Sequence, residues 1–409
     1  MKRKRGIQGI LVQRTLVAVA LAFGLAGGAW ANQSTQCDKR YVSREGKTIT
    51  VKPKPKLYRC EDNTKNLQCA IDLAVAAGRG SVVQLTRGEF CTAQLVAPTN
   101  FKGTIRGEGM KRTIIQNLPD LCVTPDNYFL APPTPPPSVC PKPGHAFPAG
   151  KNPHAVLLTV DGGDVVVSDL AIQIVGDAPT KPWTLSAFPP TAASTFTILQ
   201  AAIRATGTGP RIRVARVSLS GAVSDLGALN VENGIDFTGG FAPGTELSGY
   251  YEVTDSYINT MFRGSLVITV KDATVVFVNN TFSSVGDAVQ FGGLTNTDVK
   301  FVNNKVTSIF GVPVGDFPGP FTNSRLFIAL NTFSSSPLGA CCAIPIFATF
   351  NGKTSCSVVL NDTTGVDLDP PAYPIVLGPG TRDCLVVTRE ANTVLNEGTN
   401  NRIITVPRR

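Results

Sequence analysis

A short β-prone segment recurs through the middle of the chain and limits what the chain can fold into. Each copy has three or four β-prone residues, two small or polar residues and an alternating apolar pair. The copies are VVVSDLAI (165–172), IRVARVSL (212–219), YEVTDSYI (251–258), VVFVNNTF (275–282), VKFVNNKV (299–306) and, more loosely, LFIALNTF (326–333). The last two offsets are 24 and 27 residues. Such periods are typical of a β-solenoid, in which each coil stacks on its neighbours.

A second β-prone run precedes each copy, as in HAVLLTVDGG (154–163) and NGIDFTGG (233–240). Two or three strands per coil are therefore expected. The pairs Asn279-Asn280 and Asn303-Asn304 recur one coil apart, which predicts a hydrogen-bonded stack of identical side chains. A β-sandwich is the alternative fold, because short strands with regular turns fit both architectures.

Composition agrees with a turn-rich β protein. The 409 residues include 39 Gly and 30 Pro, and 16% are charged while 43% are hydrophobic. So little charge and so much apolar surface exclude a disordered chain. So many turn-forming residues exclude a coiled coil or helical bundle.

Residues 1–31 are interpreted as a signal peptide. Five basic residues precede or flank the apolar run 16–28, and Ala29-Trp30-Ala31 fits a cleavage site. An uncleaved N-terminal anchor is the alternative, and no segment of the mature chain is apolar enough to span a membrane. Cleavage lowers the net charge from +9 to +4 and leaves no long Lys/Arg cluster, so nucleic acid is not expected as a partner.

All ten cysteines follow the predicted signal peptide, and they form one group before residue 141 and another after residue 340. An even number in this context predicts disulfides at the two ends of the fold and a secreted or periplasmic protein. No C-x-x-C motif occurs and only His145 and His154 are available, so no metal site is predicted. The cysteines are Cys37, Cys60, Cys69, Cys91, Cys122, Cys140, Cys341, Cys342, Cys356 and Cys384.

The N-terminal part carries a family likeness. NLQCAIDLAVAAGRGSVVQLTRGEF (66–90) reads as a helix, a strand and an R-G-x-F turn, and GTIRGEGMKRTIIQN (103–117) contains an I-x-G-x-G-x-x-x-T-I run. This order resembles the opening of pectin-lyase-like right-handed parallel β-helix proteins. The resemblance implies an all-β, right-handed parallel β-helix with a short N-terminal capping helix. It implies no single activity, because the fold serves lyases, hydrolases, esterases, epimerases, adhesins and phage spikes.

Five regions follow from these features. They are a signal peptide (1–31), an N-terminal cap with the first coil (32–117), a Pro-rich insertion (118–153), the β-helix coils (154–335) and a disulfide-containing C-terminal cap (336–409). Further insertions at 176–198 and 309–324 are expected to wall a binding face, and Trp183 in the first of them is a candidate for stacking on a sugar. Low-complexity spacer is the alternative for the Pro-rich insertion.

Aligning the strands by their repeats places Ile203, Ile235, Val267 and Val289 in one inward stack. The following residues then face outward and form the one polar row that the repeat creates; they are Arg204, Asp236, Ile268 and Gln290. We interpret Arg204, Asp236 and Asp287 as candidate catalytic residues, and Gln290, Asp255 and Trp183 as candidates for substrate binding. A surface ion pair between Arg204 and Asp236 is the alternative.

The expected function is action on a polysaccharide, by hydrolysis with two carboxylates or by β-elimination with a basic residue. No cofactor is predicted, although a lyase of this fold would use Ca²⁺. A non-catalytic surface or glycan-binding β-helix is the alternative. The W-x-D-H segment of pectate lyases is absent, and Asn296-Thr297-Asp298 is interpreted as a chance match to polygalacturonases because it has no Asp-Asp partner. The oligomeric state is left open.

Overall fold

The computed structural model describes most of the chain beyond residue 36. Described are residues 37–55, 61–118, 156–175, 199–207, 209–221, 231–239, 244–261, 263–308, 314–316, 321–335, 346–348, 352–366, 373–390 and 393–407. The predicted signal peptide, His145, His154 and Trp183 lie outside these residues, as does nearly all of the Pro-rich insertion. No helix in the described ranges combines the length and hydropathy needed to cross a membrane.

Three parallel sheets form the sides of a right-handed β-helix, and each coil contributes up to three strands. The prediction of an all-β solenoid is confirmed, and the β-sandwich is excluded because the strands pair parallel with the equivalent strands of the neighbouring coils. Only β1 (Val42–Glu45) pairs antiparallel among the described strands, with β2.

Sheet A is the longest stack. It contains β2 (Thr48–Val51), β3 (Ser81–Leu85), β6 (Lys102–Arg106), the first part of β9 (Asp164–Gln173), the first part of β11 (Arg211–Ser220), β13 (Leu247–Thr254), the end of β15 (Arg263–Val278), β18 (Asp298–Val302), β21 (Phe321–Ala329), β24 (Gly352–Val359), β27 (Leu385–Thr388) and β29 (Arg402–Thr405). The parallel pairing thus extends beyond the predicted coil range 154–335 in both directions.

Sheets B and C complete each coil. Sheet B contains β4 (Gly88–Thr92), β7 (Thr113–Asn117), the second parts of β9 and β11, β14 (Tyr257–Asn259), β16 (Thr281–Val285), β19 (Lys305–Ser308), β22 (Thr332–Ser335) and β25 (Asp362–Gly365). Sheet C contains β5 (Leu95–Ala97), β8 (Val156–Asp161), β10 (Leu199–Thr206), β12 (Val231–Thr238), the first part of β15, β17 (Asp287–Thr295), β20 (Val314–Asp316), β23 (Ile346–Ala348), β26 (Ile375–Leu377) and β28 (Val394–Asn396).

Helix α1 (Thr64–Ala77) covers the interior at the N-terminal end, as the resemblance implied. Leu67 and Ile71 are buried and line an apolar space together with Val83, Leu85 and Ile105 of the first coils. The helix ends at Gly78, whose φ of 81° lies in the left-handed region that glycine tolerates.

Apolar side chains of equivalent positions stack on one another inside the coils. In sheet A, Val253, Phe277 and Phe301 occupy one column, and all three are fully buried. The rings of Phe277 and Phe301 are 6.1 Å apart, and Phe282 of sheet B packs 5.8 Å from Phe301. The repeat in sequence is therefore a repeat of core positions.

An asparagine ladder fixes the corner between sheets A and B. Its rungs are the buried side chains of Asn280, Asn304 and Asn331. The residue before each rung has a positive φ, as at Asn279 (58°) and Asn303 (54°). Inside the corner, Asn304 Oδ1 accepts from the backbone N–H of Asn280 at 2.9 Å, and Asn331 Oδ1 accepts from that of Asn304 at 2.8 Å. The predicted stack is confirmed, and it extends from Ser256 to Asn361.

Disulfides hold the terminal coils. Cys356 of β24 and Cys384, one coil further on, are bonded with their Cα atoms 4.4 Å apart. Cys37, Cys69 and Cys91 are also disulfide-bonded. None of the described cysteines is free.

Candidate functional site

Near the start of β15 in sheet C, two successive residues face the core, and the residues on either side of them face outward. A Cβ on Gly264 would lie 2.5 Å from the buried ring of Phe282, so Gly264 faces the interior. Arg263 before it therefore faces outward. Leu266, two residues further on, is partly exposed and pairs with Gln290, which accepts a hydrogen bond from Arg263 Nε at 2.6 Å. Both Arg263 and Leu266 thus lie on the outer face.

The predicted polar row exists, but its register differs by two residues in one strand. Ile235 pairs with Ser265 instead of Val267, so Leu266 and not Ile268 follows Asp236 in the outward row. The row in the structure is Thr159, Arg204, Asp236, Leu266 and Gln290. Gly264 and Ser265 both face the core, as Gly234 and Ile235 do in β12 and Ala288 and Val289 in β17, so Ser265 and not Val267 is the equivalent of Ile235. Leu266 consequently separates Asp236 from Gln290.

Arg204 and Asp236 form a buried ion pair. Arg204 Nε lies 3.6 Å from Asp236 Oδ2, and the two residues are 8% and 1% exposed. The ion pair of the alternative interpretation is therefore present, but it is buried and not at the solvated surface. Arg204 Nη1 and Asp236 Oδ1 have no hydrogen-bond partner among the described residues. Buried polar atoms are normally satisfied, so these two are available to a ligand.

A second outward row lies at the very start of the same strands. It pairs Asn233 with Arg263 and Arg263 with Asp287, and these residues are 0%, 6% and 3% exposed. Asp287 was among the candidates predicted from the sequence, whereas Asn233 and Arg263 were not. A signal for all three is present in the sequence, because a polar residue followed by a small one recurs at the equivalent position of three successive strands: Asn233-Gly234, Arg263-Gly264 and Asp287-Ala288.

The two rows together form what we call the charge cluster: Arg204, Asp236, Arg263 and Asp287. Each residue comes from a different strand, in the order β10, β12, β15 and β17, and the sign of the charge alternates along the solenoid axis. Neighbouring strands lie about 4.8 Å apart, so each charge has an opposite charge on the next strand. This alternation offsets the desolvation cost of the buried charges.

Asp255 does not belong to the charge cluster. It occupies the exposed corner between sheets A and B, with a φ of 51°, and accepts a hydrogen bond from Asn279 Nδ2 at 3.2 Å. Its spacing in sequence placed it near the other carboxylates, but the corner puts it on a different side of the coil. Trp183 lies outside the described residues.

The long connections of the chain join sheet B to sheet C. One runs between β7 and β8, another between β9 and β10, and a third between β19 and β20. Most of their residues lie outside the described ranges, so the predicted walls of a groove stay a prediction. Their attachment points are described, and the strand starts at which they re-enter sheet C are the edge that carries Arg263 and Asp287.

The segment Asn296-Thr297-Asp298 has a structural role. Asn296 has a φ of 48° at a turn, and Thr297 Oγ1 donates to the backbone oxygens of Val270 and Thr295. Asp298 accepts two hydrogen bonds from Arg325, at 2.7 and 2.6 Å. The interpretation as a chance match agrees with this geometry.

The charge cluster does not suit a calcium ion. Ca²⁺ requires six to eight oxygen ligands, usually several of them carboxylates. Within the described ranges no group of three or more potential metal ligands occurs. Arg263 also lies on the strand between those of Asp236 and Asp287, which opposes binding of a cation between these carboxylates.

No protein-family model matches the sequence, and no curated relative does. Among solved structures, the chain is similar to the enzymatically active domain of bacteriophage CBA120 tailspike protein 2 (TM-score 0.45, 11% identity, 84% of this chain and 44% of that domain covered). It is also similar to the A-module of the Azotobacter vinelandii mannuronan C-5 epimerase AlgE6 (TM-score 0.38, 12% identity, 85% and 96% covered). A third similar structure is the Streptococcus pneumoniae surface protein and adhesin PfbA (TM-score 0.39, 12% identity, 84% and 96% covered).

The chain spans less than half the length of the tailspike domain. At these identities the likeness concerns the fold alone. The architecture itself rests on the three parallel sheets, the capping helix and the stacked corners described above, which together form a parallel β-helix.

Proposed function

We propose that this chain is a secreted or periplasmic β-helix protein that acts on a polysaccharide at the outer face of sheet C. The observation that carries the proposal is the charge cluster, whose four ionisable side chains are held away from solvent on the outer face of sheet C. Buried ionisable groups are costly and concentrate at functional sites. A purely structural coil needs only apolar or satisfied polar residues at these positions.

The proposed roles follow from the positions of the groups. Asp236 and Asp287 are the candidate acid and base, while Arg204 is the candidate base of an elimination or a stabiliser of developing negative charge. Gln290 is the candidate for substrate binding, together with Arg263, which already donates to it. The disulfides support the proposed location, because such bonds persist in oxidising compartments.

The offset between the two carboxylates bears on the type of reaction. Asp236 and Asp287 lie two strands apart, about 10 Å along the axis, and are also displaced along the strand direction. Asp236 pairs with Leu266 and Asp287 with Arg263, three residues earlier on β15, so the displacement along the strand is about 10 Å and the two backbone positions lie roughly 14 Å apart. This separation exceeds both the ~5 Å of a retaining glycosidase and the ~9.5 Å upper limit of an inverting one, so it favours neither stereochemical outcome.

The second candidate function is glycan binding without turnover. The observation that favours it is the burial of both carboxylates, because Asp236 is 1% and Asp287 3% exposed. A catalytic acid must reach its substrate. Carboxylates that stay covered would only shape the site.

Incubation of the purified mature chain with a panel of polyuronates and neutral glycans tests both candidates. New ultraviolet absorbance from an unsaturated product indicates elimination, and new reducing ends alone indicate hydrolysis. Asp236→Asn and Asp287→Asn are each expected to lower turnover at least 100-fold. Asp298→Asn, which alters an exposed pair on sheet A, is the matched control and is expected to retain activity.

Binding without turnover would support the second candidate and overturn the first. Neither binding nor turnover on any glycan would overturn both.

A further inference from the structure

We infer that the ligand of the charge cluster is an uncharged saccharide and not a polyuronate. The inference rests on the proposed function and specifies the substrate class of the same site. It is carried by two properties of the cluster, its net charge and its burial.

The four charges of the cluster sum to zero. Arg204 is 3.6 Å from Asp236, and Arg263 pairs in register with Asp287. Each guanidinium thus has a carboxylate on an adjacent strand, so no positive charge of the cluster is left over to neutralise a bound uronate. Of the other charged residues on these four strands, Glu232 of β12 adds no positive charge, and Lys271 and Asp272 of β15 lie at and beyond the opposite end of sheet C.

Because the charge cluster is buried, its zero net charge determines whether a charged or an uncharged ligand can bind. All four residues are at least nine-tenths buried. A charge that enters such a region without a counter-charge loses its hydration, and no interaction in the cluster compensates for that loss. A saccharide hydroxyl carries no charge, and it both donates and accepts hydrogen bonds. It therefore enters the cluster at far lower cost than a carboxylate.

The unsatisfied atoms match a hydroxyl. Asp236 Oδ1 lacks a donor and Arg204 Nη1 lacks an acceptor among the described residues. One hydroxyl group donates to the first and accepts from the second, which satisfies both at once. A carboxylate accepts only, so it satisfies Arg204 but faces Asp236 with like charge.

Leu266 supplies an apolar contact in the same row. It is partly exposed between Asp236 and Gln290, at the position equivalent to both. The C–H face of a neutral sugar ring packs against such a side chain, while the ring hydroxyls reach the polar residues on either side.

The test measures binding of the mature chain to gluco-, galacto- and manno-oligosaccharides and to polygalacturonate oligomers of matched length, by isothermal titration calorimetry at low and high NaCl. We expect at least one neutral series to bind more tightly than polygalacturonate. Its Kd is expected to change less than about twofold with salt, because no net charge is neutralised.

The variant Asp236→Asn gives the cluster a net charge of +1. It is expected to weaken binding of the neutral oligosaccharide at least tenfold and to strengthen polygalacturonate binding about tenfold in low salt. Asp287→Asn changes the net charge of the cluster by the same amount from a different strand. It replaces Asp236→Asn in the binding measurements if that variant does not fold. The control, Asp298→Asn, is expected to change neither affinity.

Tighter, salt-sensitive binding of polygalacturonate to the unaltered chain would overturn this inference while leaving the proposed function in place. Failure of every glycan to bind would overturn the proposed function itself.

Discussion

Replacing Asn304 with Ala is expected to weaken the asparagine ladder strongly. Asn304 is 2% exposed, and its Oδ1 accepts from the backbone N–H and from Nδ2 of Asn280 at 2.9 and 3.0 Å. Its Nδ2 donates to the carbonyl oxygen of Phe277 at 3.0 Å. The Asn280 side chain retains its bond to Val253, but the Asn280 N–H is left buried without an acceptor.

The magnitude follows from these contacts. An unsatisfied buried donor costs roughly 1–3 kcal/mol, and each further lost bond contributes about 1 kcal/mol. The free energy of local opening should therefore fall by about 3–5 kcal/mol in the coils that flank Asn304. Because a solenoid does not unfold as a single unit, the measurement should be local.

Native-state amide hydrogen exchange of peptides covering 275–282 and 299–306 provides that measurement. A fall of about 3 kcal/mol accelerates exchange by roughly two orders of magnitude. The control is Asn303→Gly in the same turn, where the side chain is exposed and φ is 54°. Glycine tolerates this conformation, so exchange should change less than about fivefold. Equal effects of the two variants, or an Asn304→Ala effect below tenfold, would refute the reasoning.

Three further predictions concern the coils. Arg325 lowers the pKa of Asp298, so this exposed pair should stabilise the fold above the unfolded-state pKa of about 4 and lose that contribution as pH falls through the lowered pKa. The Tm of Asp298→Asn should therefore be only slightly below that of the wild type at neutral pH, and the difference should vanish in acid. Replacing both Cys356 and Cys384 with Ser should lower the free energy of unfolding by about 3–4 kcal/mol, as expected for a disulfide that closes a separation of 28 residues. Reduction of the wild type should raise the amide hydrogen exchange rate of β27 to the same extent as this double replacement. Gly163→Ala should lower the Tm by several degrees, because its φ is 82° and its Cβ would approach the Phe101 carbonyl oxygen, and an unchanged Tm would contradict this.

The solenoid could be predicted because successive coils place the same types of residue at equivalent core and corner positions. The segments VVFVNNTF and VKFVNNKV differ in outward residues but keep the core phenylalanine and the paired asparagines. Both features are local in sequence and identical from coil to coil. Periodicity alone therefore predicted the stacking and the ladder.

The candidate site was harder to predict because the strands of sheet C depart from strict alternation near their starts. Gly264 and Ser265 both face the core, so Leu266 and not Ile268 is the equivalent of Asp236, and Arg263 faces outward. A sequence alignment that assumes strict alternation misses such a departure. Burial of Arg204 and Asp236 was likewise not predictable, since the outer face of a coil is ordinarily solvated.

Because every coil meets its neighbours through the same asparagine corners, a coil can be duplicated within the solenoid. Residues 280–303 begin at one rung and end just before the next, and they pass once through sheets B, C and A. A second copy of this segment inserted after Asn303 would meet the same partners above and below, and it would lengthen the molecule by about 4.8 Å. It would also add another Asp287 and another Gln290 to the outer face of sheet C. Growth by duplication of a coil would thus lengthen the binding surface in fixed increments, without any new fold having to arise.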